Sequence, residues 1–523
     1  MEDDEKIILV NERNNAKNKY KLNNDYITDE EEEVVNEVNK FYRNPLFIIL
    51  VLVLMTILLI SERMYRKQSF DYSVKVIESI HKENKKDSTL FSFATFISDL
   101  LTENTVIVLS VLIFSFFNIK KSVYFIFIAI NQEVFNDFLK IIYQSPRPLW
   151  MSESIHSLYC EKGYGNPSGH AMGSTIIALA LYEVVVGQNR LFKNKNLWKM
   201  GFFIFTLLLI LFISVSRVIL GVHSINQIVY GVLLGFFFYF VFTYYVFNNN
   251  LNRIGKEEDY NFFDVLLYTS NDRKDKTTYT GLFIFTGITL AFNITCVILF
   301  LTLRNPEKDA NYILKIDEHC PNLNKPQRLL PKCLLHTFLT FSLLGMYLGL
   351  VLHNKYFAED ESREGFLKEN FDCKSLKEER IYNQESKSWN DTVWWVSIIR
   401  FIVLLFLFGI MALVLKEMIP KSNISEQEYK RLSPIEKASL NFTFVDLLHF
   451  ILPGFIIFFV LFFFLRPFMK TLNLAYNEER DSKHAIQKTK RKQINNNEFV
   501  KDESSSDDRR NNVNGIDSET ELK

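Results

Sequence analysis

The sequence predicts an all-α polytopic membrane protein with about ten transmembrane helices, including a six-helix core. Three observations predict this fold class. Hydrophobic residues make up 48% of the 523 positions, and 49 of them are phenylalanine. The charged residues stand in blocks between long apolar stretches, whereas a soluble helical chain shows stripes of period 3.6. About ten of these stretches approach the roughly 20 residues that a helix needs to cross a bilayer core.

The predicted spans are 44–61, 102–119, 122–143, 168–187, 199–216, 224–247, 280–303, 334–352, 393–416 and 446–467. The first span starts near Leu46, which is too late for a cleaved signal peptide, so we expect it to remain as an anchor. The formal net charge is +0, so the overall charge does not point to a nucleic-acid partner.

Basic residues in two short loops orient these spans. Lys120 and Lys121 join the second span to the third. The loop between the fourth and fifth spans carries Arg190, Lys193, Lys195 and Lys199. Because positively charged short loops stay on the cytoplasmic side, we expect both termini in the cytoplasm. The end of the third span, the start of the fourth and the loop from the fifth to the sixth then face the lumen or the exterior.

The domain organisation follows from these spans and from composition. We expect a disordered cytoplasmic tail at 1–43, an extra N-terminal span with a lumenal linker at 44–96, a membrane core at 97–250, a four-span C-terminal membrane region at 251–474 and a second disordered cytoplasmic tail at 475–523. Both tails are polar, charged and poor in aromatic residues, which is the composition of disordered chain.

Two features of the predicted lumenal loops agree with this orientation. Asn423 and Asn441 begin glycosylation sequons in the loop before the last span, which predicts a glycoprotein. Cys320 and Cys333 follow the seventh span and could form one disulfide or remain two free thiols. The five cysteines show no spacing typical of a zinc site.

The first segment with candidate chemistry ends the third span and contains Lys140 and Arg147. Two prolines bracket Arg147 and hold the chain extended beyond the helix, so two cations are presented at one membrane face. Asn136 and Glu133 lie one and two turns before Lys140, where we expect them to orient it or to bond a neighbouring helix. Taken alone, the two cations also fit ordinary interfacial anchoring.

The second segment, Pro167-Ser168-Gly169-His170, leads directly into the fourth span. The start of a helix presents free backbone N–H groups and a positive dipole end, which together favour an anion. Gly169 permits a close approach of phosphate to the backbone, and Ser168 adds a hydroxyl donor. His170 titrates near neutral pH and suits general acid catalysis. A simple capping turn would explain the serine and the glycine but not the histidine.

The third segment, Ser216 to Gln227, joins the fifth span to the sixth. Arg217 can bind phosphate oxygens in a bidentate manner. His223 is a candidate nucleophile, and Gln227, one helical turn later, is placed to accept a hydrogen bond from the other ring nitrogen. A buried structural histidine is the alternative for His223 alone. Because all three segments occur in order and face one side of the membrane, the sequence favours a single phosphate-binding active site.

The patterns Lys-x6-Arg-Pro, Pro-Ser-Gly-His and Ser-Arg-x5-His together resemble the type 2 phosphatidic acid phosphatase superfamily, which includes the vanadium haloperoxidases. The resemblance covers about residues 97–250, so this region would be the phosphatase core. It implies phosphoryl binding by Lys140, Arg147, Ser168, Gly169 and Arg217. It further implies that His223 attacks phosphorus to give a phosphohistidine and that His170 protonates the leaving alcohol. No metal and no other cofactor is implied, because the cations stabilise the charge.

One departure concerns the orienting residue of the third segment. The family usually has an aspartate four residues after the nucleophilic histidine, and this chain has Gln227. An amide oxygen can fix the tautomer of the ring, but it cannot stabilise an imidazolium as a carboxylate does. Gln227, the wider match over Cys160–Gly173 and the four later spans also resemble the glucose-6-phosphatase branch of the superfamily.

The sequence therefore predicts a metal-independent, acid-phosphatase-type phosphoric monoester hydrolase in the endoplasmic reticulum, another endomembrane or the plasma membrane. Its expected partners are membrane lipid and a phosphorylated lipid such as phosphatidate, or a small phosphate ester, and not nucleic acid. A lumenal sugar phosphatase and a non-catalytic phosphate-binding relative stay open as alternatives. A transporter or scaffold built on 280–467 is disfavoured, because that region has few polar intramembrane residues and no pair of broken helices.

Overall fold

The computed structural model describes residues 45–85, 88–117, 119–156, 163–187, 196–243, 276–319, 334, 336–366, 394–418, 426–439, 444–472 and 474. Both predicted tails, 1–43 and 475–523, lie outside this part of the chain. The sequons at Asn423 and Asn441 and the two cysteines Cys320 and Cys333 also lie outside it. The disorder, glycosylation and disulfide predictions therefore stay predictions.

The described residues form helices and no strand, which confirms the predicted all-α class. The helices are α1 (Pro45–Glu83), α2 (Thr89–Ser98), α3 (Glu103–Phe116), α4 (Ile119–Tyr143), α5 (Pro148–Met151), α6 (Gly169–Tyr182), α7 (Asn196–Ile219), α8 (Ile225–Phe240), α9 (Lys276–Leu303), α10 (Pro306–His319), α11 (Thr340–Phe366), α12 (Trp394–Met418), α13 (Glu426–Arg431), α14 (Pro434–Ser439) and α15 (Phe444–Thr471). A 3₁₀ turn, Asp99–Leu101, joins α2 to α3, and a π-helical turn, Glu183–Gly187, extends α6.

Four described segments are long and apolar enough to cross a bilayer: Gly169–Val186, Asn196–Ile219, Ile225–Thr243 and Leu282–Leu303. The pair Thr89–Leu101 and Asn104–Phe116, bent by 41°, would make a fifth. The helix α4 matches the predicted third span in position, but Glu133, Asp137 and Lys140 lower its hydropathy. The chain is thus an all-α membrane protein, while the number of ten spans stays a prediction.

The chain divides into two compact units, Met1–Ser69 and Phe70–Lys523. In the first unit the structure describes helical residues 45–69, which include all but the first residue of the predicted first span. Most of the described part of the predicted lumenal linker is helical, because α1 continues to Glu83 and α2 follows from Thr89. The second unit contains every candidate site residue.

Within the second unit, α6 packs against α8, α7 and α4. Gly231 and Gly235 of α8 allow this approach, because a Cβ atom on Gly231 would lie 2.9 Å from the carbonyl oxygen of Ser168 and one on Gly235 would lie 2.8 Å from Thr175 Cβ. Small residues four positions apart let two membrane helices pack backbone to backbone. The packing of α8 on α6 brings the third sequence segment next to the second.

The C-terminal helices are packed against the predicted core. A buried cluster joins α3 and α4 to α11, α12 and α15 through Val111, Phe127, Tyr347, Val396 and Phe462 among others. The guanidinium of Arg400, which is 0% exposed, donates to the carbonyl oxygens of Ser115 and Leu474 at 2.8 and 2.7 Å. A fully bonded buried arginine fixes the elements around it, so the C-terminal region is held against the core.

Candidate active site

Four helix ends meet where the sequence predicts the site. The C-terminal ends of α4 and α7 lie beside the N-terminal ends of α6 and α8, and backbone hydrogen bonds join the intervening loops. Gly165 N donates to Ser145 O at 2.8 Å, and Ser168 N donates to Gln227 O at 3.1 Å. Leu149 N donates to Gly221 O at 3.3 Å. The three sequence segments therefore form one continuous structure, held by main-chain contacts.

Arg147 lies at the centre of this structure and is only 3% exposed. Its Nε donates to the carbonyl oxygen of Gly163 at 2.6 Å, and its NH1 donates to the carbonyl oxygen of Val222 at 3.3 Å. Its NH2 also reaches Tyr164 O at 3.4 Å. Backbone carbonyls from two different loops thus hold the guanidinium in one orientation, which is the preorganisation that an anion site needs.

His223 is buried next to Arg147, and its two ring nitrogens have different partners. Nε2 lies 3.0 Å from Arg147 NH1, while Nδ1 lies 2.9 Å from the carbonyl oxygen of Gly165. A guanidinium only donates and a carbonyl only accepts. These contacts therefore assign the proton to Nδ1 and leave a lone pair on Nε2, which faces the arginine.

Gln227 contributes to the same arrangement from the first turn of α8. Its Oε1 lies 3.4 Å from His223 Nδ1, which is farther than the Gly165 carbonyl oxygen. The same Oε1 accepts from the Ser224 backbone N–H at 3.2 Å, and Nε2 donates to Pro146 O at 2.8 Å. The glutamine is close to His223 as expected, but the nearer acceptor is a backbone carbonyl that the sequence did not indicate.

Gly165 must be a glycine for this carbonyl to reach the histidine. A Cβ atom at this position would lie 2.7 Å from both Gln227 Nε2 and Pro146 O. Contacts this short do not occur between real Cβ atoms and polar heavy atoms. The loop before α6 therefore approaches α8 closely only because residue 165 has no side chain.

Lys140 points from the last turn of α4 toward the start of α6. A Cβ atom built on Gly169 would lie 3.5 Å from Lys140 Nζ and 3.3 Å from Asn136 Oδ1. Asp137, three residues before the lysine, accepts a hydrogen bond from Nζ at 2.6 Å. The sequence predicts that Asn136 and Glu133 orient Lys140 or bond a neighbouring helix. The structure adds Asp137, which is 1% exposed, as a direct partner of the ammonium group.

Ser168 and His170 occupy the start of α6. The Ser168 side chain caps the helix by accepting from Ala171 N at 3.4 Å, and the residue is fully buried. Gly169 and His170 follow in the first turn and are half-buried. Both the capping and the phosphate-binding interpretations of this segment predict a helix that begins here, so the helix start itself does not distinguish between them.

Arg217, near the C-terminal end of α7, is 0% exposed. Its NH1 donates to the hydroxyl oxygen of Ser98 at 2.7 Å. Ser98 is the last residue of α2 and is also fully buried. The sequence did not indicate Ser98, because a lone serine at the end of a short apolar helix has no distinguishing pattern.

His81 supports the third segment from the end of α1. Its Nε2 lies 2.9 Å from the carbonyl oxygen of Ile219, and its Nδ1 accepts from the backbone N–H of His156 at 3.0 Å. These contacts require the neutral ring, protonated on Nε2. Burial lowers the pKa of His81, and the nearby His156 lowers it further, while the Ile219 carbonyl acts in the opposite direction. The linker thus contacts the chain that precedes His223.

The helix α10, after the seventh span, contacts the loop that precedes α6. Tyr164 OH donates to Asp309 Oδ1 at 2.8 Å, and both residues are buried. Burial raises the pKa of the Asp309 carboxyl, although the Tyr164 hydroxyl and the cations Arg304 and Lys308 act to lower it. The Trp150 and Tyr312 rings pack nearby with centroids 5.4 Å apart. No sequence motif marked α10 as part of the site.

One group of side chains in the described part of the chain has the composition of a metal site. The ligand atoms of Glu133, Asp137 and His336 all lie within 4.8 Å of one another. Lys140, however, already donates to Asp137. An ammonium group held 2.6 Å from one of the donor carboxylates repels a divalent cation. The three side chains therefore do not fit a metal.

The comparison with known proteins agrees with the three motifs. Residues 121–251 match the model of the PAP2 superfamily, which confirms the resemblance of the motifs. The chain is 26% identical over 182 residues to glucose-6-phosphatase 2 of Homo sapiens, which covers 31% of this chain and 50% of that protein. It is 30% identical over 151 residues to dolichyldiphosphatase of Saccharomyces cerevisiae, which covers 27% of this chain and 60% of that protein. The chain thus spans between half and 60% of the length of these relatives. No solved structure matches the chain with comparable significance.

Proposed function

We propose that the protein is an integral membrane phosphomonoesterase that hydrolyses a phosphate ester through a phosphohistidine on His223, on the extracytoplasmic side. The observation that carries the proposal is the fixed tautomer of His223. Its Nε2 lone pair faces the buried guanidinium of Arg147 at 3.0 Å. A phosphoryl group that binds this arginine is thereby brought next to the nucleophilic nitrogen.

In the first step the Nε2 lone pair forms a bond to phosphorus while the bond from phosphorus to the ester oxygen breaks. His170, at the start of α6, gives its proton to the departing alkoxide. The ring of His223 becomes positively charged, and the Gly165 carbonyl and Gln227 Oε1 accept from Nδ1–H. These two neutral acceptors hold the ring in place, as a carboxylate does in the more usual form of the site.

In the second step water attacks the phosphohistidine and the bond from nitrogen to phosphorus breaks. The neutral His170 takes a proton from this water, so that both histidines return to their starting states and inorganic phosphate leaves. One residue thus acts first as an acid and then as a base, as microscopic reversibility requires.

Charge stabilisation is assigned to Lys140, Arg147 and Arg217 together with Ser168 and the backbone N–H groups at Gly169. Arg147 and Arg217 are 3% and 0% exposed, and their electrostatic effect is larger in such a site than in water. Three cations and a helix N-terminus can stabilise the developing charge on the phosphoryl oxygens. The proposed mechanism therefore requires no metal.

A lipid phosphate such as phosphatidate is the proposed substrate class. The site is formed at the ends of apolar helices, where an amphiphile presents its head group, and the similar yeast protein is a dolichyldiphosphatase. A lumenal sugar phosphatase is the second candidate. The similarity to glucose-6-phosphatase 2 and the presence of helices after the matched domain favour it.

Phosphate release by the full chain, purified in a mild detergent, tests the proposal. The substrates are phosphatidate, a sphingoid-base phosphate, a polyprenyl diphosphate and glucose 6-phosphate, each with and without a chelator of divalent cations. Release from a lipid ester in the presence of the chelator, and its loss in His223→Ala, is the expected result. A protein that binds vanadate, but neither releases phosphate nor yields a trapped phosphohistidine, would instead be a non-catalytic relative.

A further inference from the structure

His336 precedes α11, far along the chain from the matched domain, yet it lies beside the helix that carries Lys140. Its Nδ1 is 2.5 Å from Asp137 Oδ2 and 3.3 Å from Glu133 Oε1. The first distance is that of a direct ion pair between the imidazole and the carboxylate. The side chain of His336 is 16% exposed and that of Asp137 is 2% exposed, so water screens the pair weakly.

Asp137 connects this histidine to the phosphate pocket. Its other oxygen, Oδ1, accepts from Lys140 Nζ at 2.6 Å, and the side chain of Lys140 is 11% exposed. One carboxylate thus lies between an imidazole from the C-terminal region and an ammonium group of the site. The position of the ammonium depends on how its carboxylate partner is held.

The charges of this group balance only when His336 is protonated. Lys140 and the imidazolium then carry two positive charges, and Asp137 and Glu133 carry two negative ones. Without the imidazolium the group has a net charge of about −1 within several ångströms of the pocket. A bound phosphate would be repelled by that charge, and Asp137 would hold Lys140 more strongly.

We propose that His336 is a positioning residue of the phosphate pocket: its ring, held between Asp137 and Glu133, sets the local charge and the place of Lys140. The inference rests on the proposed role of Lys140 in phosphoryl binding. It also gives the helices after the matched domain a part in the site, since His336 comes from that region.

His336→Gln tests the inference, because the amide keeps polarity and approximate size but cannot carry the charge. The full chain in detergent is assayed for orthovanadate binding and for KM and kcat. We expect vanadate and phosphate esters to bind about tenfold more weakly, with a much smaller change in kcat. Unchanged vanadate affinity in a folded His336→Gln protein would overturn the inference.

A second variant separates charge from structure. Glu133→Gln in the His336→Gln background removes one negative charge and leaves the Asp137–Lys140 contact in place. The inference predicts that the double variant recovers most of the lost vanadate affinity. A lack of recovery would show that His336 acts only through packing, and would also overturn the inference.

The matched control is His353→Gln. His353 is also buried, lies in α11, and its Nδ1 contacts the carbonyl oxygen of Phe463 at 3.0 Å. This variant is expected to keep the vanadate affinity of the parent protein, and a loss as large as that in His336→Gln would count against a specific role for His336.

The pH profile provides a further readout. Among the described residues, the titratable groups that face the His336 ring are Glu133 and Asp137, with Lys140 beyond them. As the pH rises and the ring loses its proton, the affinity of the parent protein should approach that of His336→Gln. Because vanadate binding needs no turnover, a parent protein that binds vanadate but releases no phosphate would contradict the proposed function and still test His336.

Discussion

His223 Nε2 lies 3.0 Å from Arg147 NH1. The histidine comes from the turn between α7 and α8 and the arginine from the turn after α4, so the contact joins two loops 76 residues apart. Because a guanidinium cannot accept a hydrogen bond, this contact fixes the lone pair on Nε2. The nitrogen that we propose as the nucleophile is thus defined by a residue of a different segment.

Gly165→Ala is expected to damage the site. The added Cβ would lie 2.7 Å from Gln227 Nε2 and from Pro146 O, and relief of this overlap would move the carbonyl that holds His223 Nδ1. We expect phosphate release to fall at least about tenfold, with a loss of about 1–3 kcal/mol in the free energy of unfolding. Assay of release and thermal unfolding in detergent measure both effects.

Gly201→Ala is the matched control for this substitution. Nothing lies within 4 Å of a Cβ at Gly201, which is in the interior of α7. Alanine in place of glycine within a helix stabilises the folded protein by about 0.5–1 kcal/mol. This variant should therefore unfold at the same temperature or higher and keep its activity. Full activity in Gly165→Ala would contradict the close approach of the two loops.

Gln227→Ala is expected to reduce kcat less than His223→Ala does. The Gly165 carbonyl, at 2.9 Å from Nδ1, remains as an acceptor when Gln227 Oε1 at 3.4 Å is removed. Loss of one hydrogen bond of two corresponds to a decrease of about tenfold in rate. Steady-state kinetics on a lipid phosphate measure the decrease in kcat. A Gln227→Ala protein as inactive as His223→Ala would show that Gln227 alone holds the ring.

His81 should make stability depend on pH in the mildly acidic range. Burial lowers its pKa below 6.5, the ordinary value for a histidine, so the unfolded state takes up a proton at a higher pH than the folded state. Stability is therefore retained above about pH 6.5 and falls as the pH decreases through that value. The unfolding temperature measured from pH 8 to pH 5 should drop less in His81→Gln than in the parent protein.

His156→Gln is the control for the effect of His81. The backbone N–H of His156, and not its ring, donates to His81, and the ring of His156 has the smallest of the three effects on the His81 pKa, so this variant should retain most of the pH dependence of the parent protein. If the unfolding temperature depended equally on pH in the parent protein, His81→Gln and His156→Gln, a group other than His81 would be responsible.

Tyr164→Phe is expected to destabilise the contact between α10 and the loop before α6. The substitution removes the hydroxyl that donates to the buried Asp309 carboxyl, at a cost of about 1–3 kcal/mol for a charged acceptor. Burial raises the pKa of Asp309 and the Tyr164 hydroxyl opposes this effect, so removal of the hydroxyl raises the pKa further and the cost of the buried carboxylate grows as the pH rises. Denaturant unfolding at pH 7 and pH 4 should therefore show the larger loss at pH 7.

Tyr312→Phe serves as the comparison for Tyr164→Phe. Burial raises the pKa of the Tyr312 phenol to about 12, so it stays neutral across this range. Its ring packs on Trp150 in either form. A Tyr312→Phe protein as unstable as Tyr164→Phe would indicate that the hydroxyl of Tyr164 has no specific role.

The helical class and the three site segments could be predicted from the sequence because both depend on local patterns. Apolar runs of membrane length specify helices, and the motifs around Arg147, Gly169 and His223 are short and contiguous. The residues that join the segments could not be predicted in this way. Gly165 acts through its carbonyl, and Ser98, Asp309 and His336 are single polar residues without a motif.

The number of membrane spans also could not be established from local sequence patterns alone. The sequence predicts ten spans from its apolar runs, but polar residues such as Glu133, Asp137 and Lys140 make α4 too polar to qualify as a span on hydropathy alone. The structure shows why such polar residues are tolerated, because Lys140 and His336 contact Asp137. Composition along one helix does not reveal partners on another.

The sequence by itself determined that the chain is a helical membrane protein and where the three candidate segments lie along it, since the length of an apolar run and the spacing of a motif are local. Only the tertiary structure decided which nitrogen of His223 carries the proton, what holds Arg147, and that a histidine of the C-terminal region contacts Asp137. These properties are set by distances of about 3 Å between atoms of distant segments. Such distances arise only when the helices pack.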